Sequence, residues 1–114
     1  MFAWIGSIAQ AYGVCPSFAQ AVAVVESRPA GTEIALRVGP IGGGRFYGPF
    51  AIHKDYLKRW PIDVPWINCV VGVRALRGKD KKRVLQRYNR SWTPAYHAEV
   101  MRIKKQIERR GLPK

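Results

Sequence analysis

Acidic residues, cysteines and long apolar runs are all scarce in this chain of 114 residues. It contains seven Asp and Glu residues, two cysteines and two histidines. The lack of any apolar run of about 18 residues excludes a helix that spans a membrane. Cys15 and Cys69 make no metal-binding spacing with His53 or His97, and two cysteines do not define a disulfide framework. We therefore expect both cysteines to be buried free thiols.

The shortage of acidic residues leaves the chain with a net charge of +13, because it contains 20 Lys and Arg residues. The charge is uneven: residues 1–53 carry a net +1, and residues 54–114 carry a net +12. A basic half predicts an anionic partner, which can be nucleic acid, an anionic membrane or an acidic polymer such as a bacterial cell wall. Charge alone favours nucleic acid.

The N-terminal segment Met1–Ala11 contains no basic residue, unlike a secretory signal peptide. Ile5, Ile8 and Tyr12 recur there at helical spacing, so we predict the first amphipathic helix of the domain instead. The length, together with 47% hydrophobic residues, predicts one compact domain over residues 1–114, with no linker and no internal repeat.

Apolar periodicity and helix-capping residues predict a mainly α fold. The predicted helices cover residues 2–12, 16–27, 52–60, 63–78, 80–88 and 93–111. Residues 29–50 are rich in Gly and Pro, and there we predict a small β-hairpin with arms 34–38 and 45–47 and a turn at 40–44. Trp60, Trp66 and Trp92 are expected to pack in the core or between helices.

Glu26 is the first acidic residue of the chain and ends a helix that is otherwise almost entirely apolar. A carboxylate near a helix C-terminus faces the unfavourable end of the helix dipole, and apolar surroundings disfavour its charged form. Both effects predict a raised pKa for Glu26. A carboxyl group of this kind is suited to act as the general acid in glycoside cleavage. The alternative is a solvated carboxylate at a helix end.

Four segments in order resemble motifs of the lytic transglycosylases with the goose-type-lysozyme-like fold, the Slt-type catalytic domains. The segment 21–27, Ala-Val-Ala-Val-Val-Glu-Ser, is similar to the apolar helix that ends in the catalytic Glu-Ser pair. The other three are Gly-Pro-Phe-Ala-Ile at 48–52, the helix 68–76 that begins with Asn-Cys, and Tyr88-Asn89 followed by Tyr96 and Val100. The resemblance implies a mainly α, lysozyme-like α+β fold with the hairpin inserted after the catalytic helix.

The resemblance assigns Glu26 and Tyr88 as catalytic residues, with Tyr88 near Glu26 or the substrate's N-acetyl group. The implied substrate-binding residues are Ser27, Tyr47, Phe50, Ala51, His53 and Asn89. Ala51 stands where the family has a Gln, and Arg90-Ser91 stands where it has Ala-Gly. Packing is the alternative role for Tyr47 and Phe50, helix termination for Ser27, and a surface position for His53. Phe46 is a further candidate for the groove.

The implied reaction cleaves the bond between N-acetylmuramic acid and N-acetylglucosamine in peptidoglycan. Glu26 protonates the glycosidic oxygen and then, as a base, takes the proton of the muramic C6 hydroxyl, which attacks C1 to give a 1,6-anhydro product. One carboxylate suffices, because the substrate's N-acetyl group stabilises the reacting centre. No metal or organic cofactor is implied, and the expected partners are peptidoglycan strands and an anionic wall or envelope surface.

Two alternatives remain open from the sequence. A goose-type-like muramidase of the same fold would use Glu33 or Asp55 to position water. A basic nucleic-acid-binding module would use the Lys and Arg residues of 79–90 and 102–110. For the transglycosylase, a start without a signal peptide suits a phage endolysin or virion-associated enzyme that leaves the host cytoplasm for the periplasm or cell wall. The alternatives are a bacterial or conjugation-associated enzyme and a domain of a larger protein, and we expect a monomer.

Overall fold

A computed structural model describes residues 1–28 and 34–111. In this part of the chain the fold is mainly helical, with a small three-stranded sheet between the second and third helices. The α-helices are α1 (Phe2–Ala11), α2 (Pro16–Ser27), α3 (Pro65–Ala75), α4 (Lys81–Tyr88) and α5 (Pro94–Arg110). The strands are β1 (Pro40–Ile41), β2 (Phe46–Tyr47) and β3 (Ile52–His53), and a 3-10 helix spans Lys54–Lys58. None of the described helices is long and apolar enough to cross a membrane.

The most deeply buried helix is α2, because it carries apolar residues on nearly all of its faces. Seven consecutive residues, 18–24, are buried. It packs against α1 and α5, so that Val22 and Val24 share one core with Ile5 of α1 and Ile103 of α5. This arrangement fixes the C-terminal end of α2, where Glu26 lies, against the helix that closes the fold.

Local capping signals set the starts of three helices, as predicted. Pro16 begins α2, the Asp80 carboxylate accepts hydrogen bonds from the backbone N–H groups of Lys82 and Arg83, and the Thr93 hydroxyl accepts one from Tyr96. The helix predicted over residues 63–78 starts later than expected. Pro65 begins α3 instead, because proline is suited to the first helical turn and leaves one fewer backbone donor to satisfy.

The predicted hairpin is displaced along the chain. Residues 34–38 form no strand, and the arms are β1 and β2, joined through Gly42, Gly43 and Gly44, which all have positive φ. Segment 34–38 instead runs past the end of α2, where the backbone N–H of Arg37 donates to the Ser27 hydroxyl at 3.2 Å. Its apolar alternation therefore reflects packing on the core, without strand pairing.

The predicted helix over residues 52–60 is also wrong, because its first two residues complete the sheet. Ile52 pairs with Tyr47, and His53 pairs with Phe46, in antiparallel register. Only the following five residues turn, as a 3-10 helix whose first turn is capped by the His53 imidazole. The order β1-β2-β3 places the sheet between the end of α2 and the start of α3.

Asn68 and Gly72, one turn apart on α3, hold the segment that joins β2 to β3. The fully buried Asn68 amide donates to the carbonyls of Tyr47 (2.7 Å) and Ile62 (3.0 Å) and accepts from the N–H of Phe50 (3.1 Å). The Phe50 ring lies so close to Gly72 that a Cβ there would come within 2.2 Å of it. Asn68 and Gly72 on α3 therefore hold residues 48–51 in place, the first by hydrogen bonds and the second by close packing.

Three side chains are more exposed than the sequence predicts. Trp60 and Trp66 are 46% and 56% exposed, whereas Trp92 is partly buried against the core as expected. Cys15 is also exposed, because it lies at the N-terminal end of α2, whereas Cys69 is buried; both are free thiols. Hydrophobic residues are buried on average, but whether one particular side chain is buried depends on which elements pack against it in the fold.

Candidate active site

A groove of about 860 Å³ opens beside the C-terminal end of α2. Its walls come from the sheet, the 3-10 helix, α3 and α4, and it contains five of the eight site residues that the sequence predicts. These are Glu26, Ala51, His53, Tyr88 and Asn89. The fold therefore brings together residues that lie up to 63 positions apart in the chain.

Glu26 is half-buried and its carboxylate is held from two sides. Its Oε1 accepts a hydrogen bond from the Tyr96 hydroxyl at 2.6 Å and a longer one from the Asn89 amide at 3.4 Å. Burial raises the pKa of Glu26, while the bonds from Tyr96 and Asn89 oppose that rise by stabilising the ionised form. The carboxyl group is thus oriented, partly shielded and inclined to keep its proton.

Tyr96 belongs to the site, although the sequence did not identify it as a catalytic or substrate-binding residue. Burial and the charge of Glu26 raise the pKa of its hydroxyl, so that it remains a hydrogen-bond donor. Tyr96 lies in the first turn of α5, which packs against α2. The spacing of Tyr96 from Tyr88-Asn89 was noted in the sequence, but spacing alone does not tell which of two tyrosines reaches the carboxylate.

The Tyr88 hydroxyl donates to the Phe50 carbonyl at 2.6 Å, and the described hydrogen bonds do not join it to Glu26. Of the two positions expected for the Tyr88 hydroxyl, near Glu26 or near the substrate's N-acetyl group, a bond to Glu26 is not formed among the described residues, and Glu26 is bonded by Tyr96 instead. Burial, and next the charge of Glu26, hold the pKa of the Tyr88 hydroxyl well above its usual range. In this arrangement Tyr88 lines the groove and at the same time fixes the segment that leads into Ala51.

Three predicted substrate-binding residues lie outside the groove lining. Phe50 is fully buried, and its ring packs edge-on against Tyr88, so its side chain belongs to the core. Ser27 is also buried and accepts the Arg37 hydrogen bond, which agrees with the alternative of helix termination. Tyr47 is half-buried against the core, and its carbonyl serves as an acceptor for Asn68.

Ala51 and His53 line the groove together with Phe46, which was a further candidate in the sequence. The His53 ring packs edge-on against Phe46, with centroids 5.5 Å apart. Its Nδ1 accepts a hydrogen bond from the backbone N–H of Asp55, whose own carboxylate also lines the groove. Ala51 has a φ of +47°, the only positive value among the described non-glycine residues.

Asp55 is the second carboxylate of the groove, but its surroundings differ from those of Glu26. Its side chain is 70% exposed and its Oδ2 lies 3.4 Å from the His53 Nδ1. Glu33, the other acidic residue considered as a partner, lies outside the described residues. Within residues 1–28 and 34–111, no group of three or more His, Cys, Asp or Glu side chains is placed to hold a metal ion.

Replacing Tyr96 with Phe removes one hydrogen bond to the Glu26 carboxylate and leaves the ring in place. Because that bond stabilises the ionised form, the pKa of Glu26 should rise further. We expect about tenfold slower turnover from the loss of orientation, roughly the effect of one hydrogen bond to a charged group. The falling limb of the pH–rate profile should also move to higher pH.

The matched control is Tyr12→Phe, which removes an exposed hydroxyl at the end of α1. It should leave both the rate and the pH profile unchanged. A Tyr96→Phe variant that lost activity with an unmoved pH profile would indicate a purely structural role for Tyr96.

Comparison of the chain with known proteins identifies no related protein. No protein-family model matches the chain, and neither the curated proteins nor the solved structures contain a significant match.

Proposed function

We propose that this chain is a lytic transglycosylase that cleaves the β-1,4 bonds between N-acetylmuramic acid and N-acetylglucosamine in peptidoglycan, on a lysozyme-like fold. Two lines of support meet. The four ordered motifs resemble those of the Slt-type catalytic domains. The helical fold, with a small sheet following the Glu26 helix, is compatible with that architecture.

The observation that carries the proposal is the state of Glu26. Its carboxyl group is half-buried at the wall of the groove, has a raised pKa and accepts hydrogen bonds from Tyr96 and Asn89. A group that must first give a proton to a leaving oxygen and then take one from a hydroxyl needs a pKa nearer to the working pH than that of a solvated carboxylate.

In the proposed reaction Glu26 protonates the glycosidic oxygen as the bond to C1 breaks. The carboxylate that results takes the proton from the muramic C6 hydroxyl, whose oxygen attacks C1 and closes the 1,6-anhydro ring. Tyr96 and Asn89 hold the carboxylate in one orientation through both transfers. Tyr88 fixes the backbone of Phe50, and thereby the position of Ala51 at the groove wall.

The basic surface supports an acidic polymer as the partner. The helices after residue 53 carry most of the +13 charge, whereas the catalytic helix and the sheet lie in the nearly neutral part of the chain. Long-range attraction to an anionic wall would raise the local concentration of enzyme at its substrate. We propose a phage enzyme that acts as a monomer on the host wall.

Digestion of purified peptidoglycan by the whole chain tests the proposal through its products. Mass spectrometry should find muropeptides that end in 1,6-anhydro-N-acetylmuramic acid and lack a reducing end. Release of soluble fragments with reducing muramic ends would contradict the transglycosylase mechanism. No release of fragments at all would contradict the proposed function.

A muramidase is the second candidate, because Asp55 lines the same groove as Glu26. In that mechanism Asp55 would position the attacking water. The Asp55→Asn variant separates the two reactions. We expect it to keep the anhydro product at a rate within about twofold of the parent, whereas a loss of about 100-fold, typical for removal of a general base, would favour the hydrolase.

A further inference from the structure

Beyond the groove that contains Glu26 lies a second cavity, which is lined by three arginines. We infer that this arginine niche, made of Arg74, Arg77 and Arg87, binds a carboxylate of the peptide stem that peptidoglycan carries on its muramic acid residues. The inference rests on the proposed function and adds to it a determinant of substrate specificity. It is carried by the position of the niche, the fixation of its side chains and its uncompensated charge.

The niche is an open depression with exposed lining residues, and it adjoins the groove. It has a volume of about 560 Å³ and is completed by Ala75 and Gly78 at the C-terminal end of α3. Ala75 and Arg87 also line the groove that contains Glu26. A substituent on a sugar bound in the groove would therefore lie near the niche.

Backbone carbonyls hold two of the three guanidinium groups in place. The Nη2 of Arg87 donates to the carbonyls of Arg77 (2.6 Å) and Ala75 (3.4 Å), and the Nε of Arg77 donates to the carbonyl of Arg74 (3.1 Å). These bonds satisfy orphan carbonyls at the end of α3. They leave other N–H groups of Arg77 and Arg87 available, so the niche presents donors whose orientation is set before a ligand arrives.

The charge of the niche is not balanced within the part of the chain that the structure describes. Its lining contains no Asp or Glu, and Arg74, Arg77 and Arg87 take part in none of the ion pairs of these residues. Three neighbouring cations repel one another, so an anionic ligand would be attracted strongly. Guanidinium groups match the planar, two-oxygen geometry of a carboxylate through paired hydrogen bonds.

The substrate of the proposed reaction supplies such a group beside the bond that is cleaved. Each muramic acid carries a lactyl-linked peptide with free carboxylates, whereas the glucosamine units are neutral. A cation cluster that joins the groove on one side would therefore recognise the substituted sugar and distinguish it from its neighbour. Phosphate groups of wall polymers are the other anions of the envelope, and the experiment below separates them from stem carboxylates.

The experiment compares two forms of peptidoglycan from which phosphate-containing polymers have been removed. One keeps its stem carboxylates, and in the other they are converted to amides. We expect the parent chain to cleave the carboxylate form with about tenfold higher kcat/KM, the gain from one well-formed charged hydrogen-bonded contact. The double variant Arg74→Gln/Arg77→Gln should lower kcat/KM on the carboxylate form about tenfold and leave the amidated form unchanged.

The control variant is Arg109→Gln/Arg110→Gln at the exposed end of α5. It also removes two positive charges, but outside the niche. It should keep the preference for carboxylates. The inference is overturned if Arg74→Gln/Arg77→Gln keeps the preference or weakens both substrates equally. It is also overturned if the parent prefers only peptidoglycan that still carries its phosphate polymers.

A binding measurement separates failure of this inference from failure of the proposed function. Calorimetry with a soluble disaccharide-peptide should show binding to the parent chain, and the affinity should fall about tenfold in Arg74→Gln/Arg77→Gln. If the parent cleaves neither form of peptidoglycan but still binds this ligand through the arginines, the proposed function fails and the niche stands. If the parent does not bind the ligand, the niche assignment fails, whatever the outcome of the cleavage assay.

Discussion

The Glu26→Gln variant should turn over peptidoglycan about 1,000-fold more slowly than the parent chain, within the range expected when a general acid–base group is removed. Glutamine has nearly the same shape and can still accept the hydrogen bonds from Tyr96 and Asn89, but it cannot transfer a proton. The measurement is the initial rate of soluble muropeptide release from purified peptidoglycan at equal concentrations of folded protein.

The matched control for this change is Glu108→Gln, which neutralises an exposed carboxylate on α5 that bonds Ser17 and Lys104. Its rate should equal that of the parent within about twofold. If Glu26→Gln and the parent released fragments at equal rates, Glu26 would be excluded as the proton donor and the proposed mechanism would fail with it.

The same variant has a second expected result, which concerns the free energy of unfolding. Burial raises the pKa of Glu26 in the folded state, so ionisation of this group costs more in the folded chain than in the unfolded one. At pH values below the unfolded pKa both states are protonated and there is no penalty. As pH rises through the folded pKa, the parent loses the corresponding part of its stability, whereas the Gln variant does not.

Thermal unfolding at several pH values measures this difference. Relative to the parent, Glu26→Gln should gain in Tm from pH 4 to pH 7.5. If the Tm of Glu26→Gln fell relative to the parent over this pH range, the fold would stabilise Glu26 as a carboxylate. Such a group is unsuited to act as a general acid. This readout requires no substrate, so it tests the environment of the carboxyl group independently of the proposed function.

Replacing Asn68 with Ala should destabilise the fold by about 4 kcal/mol, because each of the three backbone groups that bond its amide becomes a buried group without a partner, at about 1–3 kcal/mol each. The groups are the N–H of Phe50 and the carbonyls of Tyr47 and Ile62. Asn68 is fully buried, so water does not reach its amide to replace these bonds. Urea unfolding of the two chains measures the difference.

The control is Gln86→Ala on α4, which shortens an exposed amide side chain and should change the free energy of unfolding by less than about 0.5 kcal/mol. A loss of less than 1 kcal/mol in Asn68→Ala would show that the segment between β2 and β3 is held mainly by other contacts. The folded fraction of Asn68→Ala should also lose activity, because this segment places Ala51 at the groove wall.

The sequence predicted best what neighbouring residues determine. The helices beginning at Pro16, Lys81 and Pro94 were found because apolar periodicity and a cap or proline coincide at each start. Strands were predicted poorly, because a two-residue strand exists only through its partner. The local sequence at Ile52 and His53 is compatible with a helix. These residues nevertheless form β3, because they pair in antiparallel register with the backbone of Phe46–Tyr47.

The candidate site divides in the same way. Glu26 was found because a carboxylate at the end of an apolar helix conflicts with its surroundings, and that conflict is visible in a single segment. The bond from Tyr96 to Glu26 was not, because Tyr88 lies on α4 and Tyr96 on α5, and each hydroxyl meets its acceptor only in the folded chain. Sequence order placed both tyrosines near the site, but the contacts that separate their roles span 38 and 70 positions.

The bond between Tyr96 and Glu26 also has a consequence for the order of synthesis. Glu26 is synthesised 63 residues before Asn89 and 70 residues before Tyr96, and α5 provides both Tyr96 and much of the surface against which α2 packs. A growing chain therefore holds the reactive group long before it can be oriented or shielded. The cell that makes this protein meets the assembled acid only after α5 has been synthesised and has packed on α2.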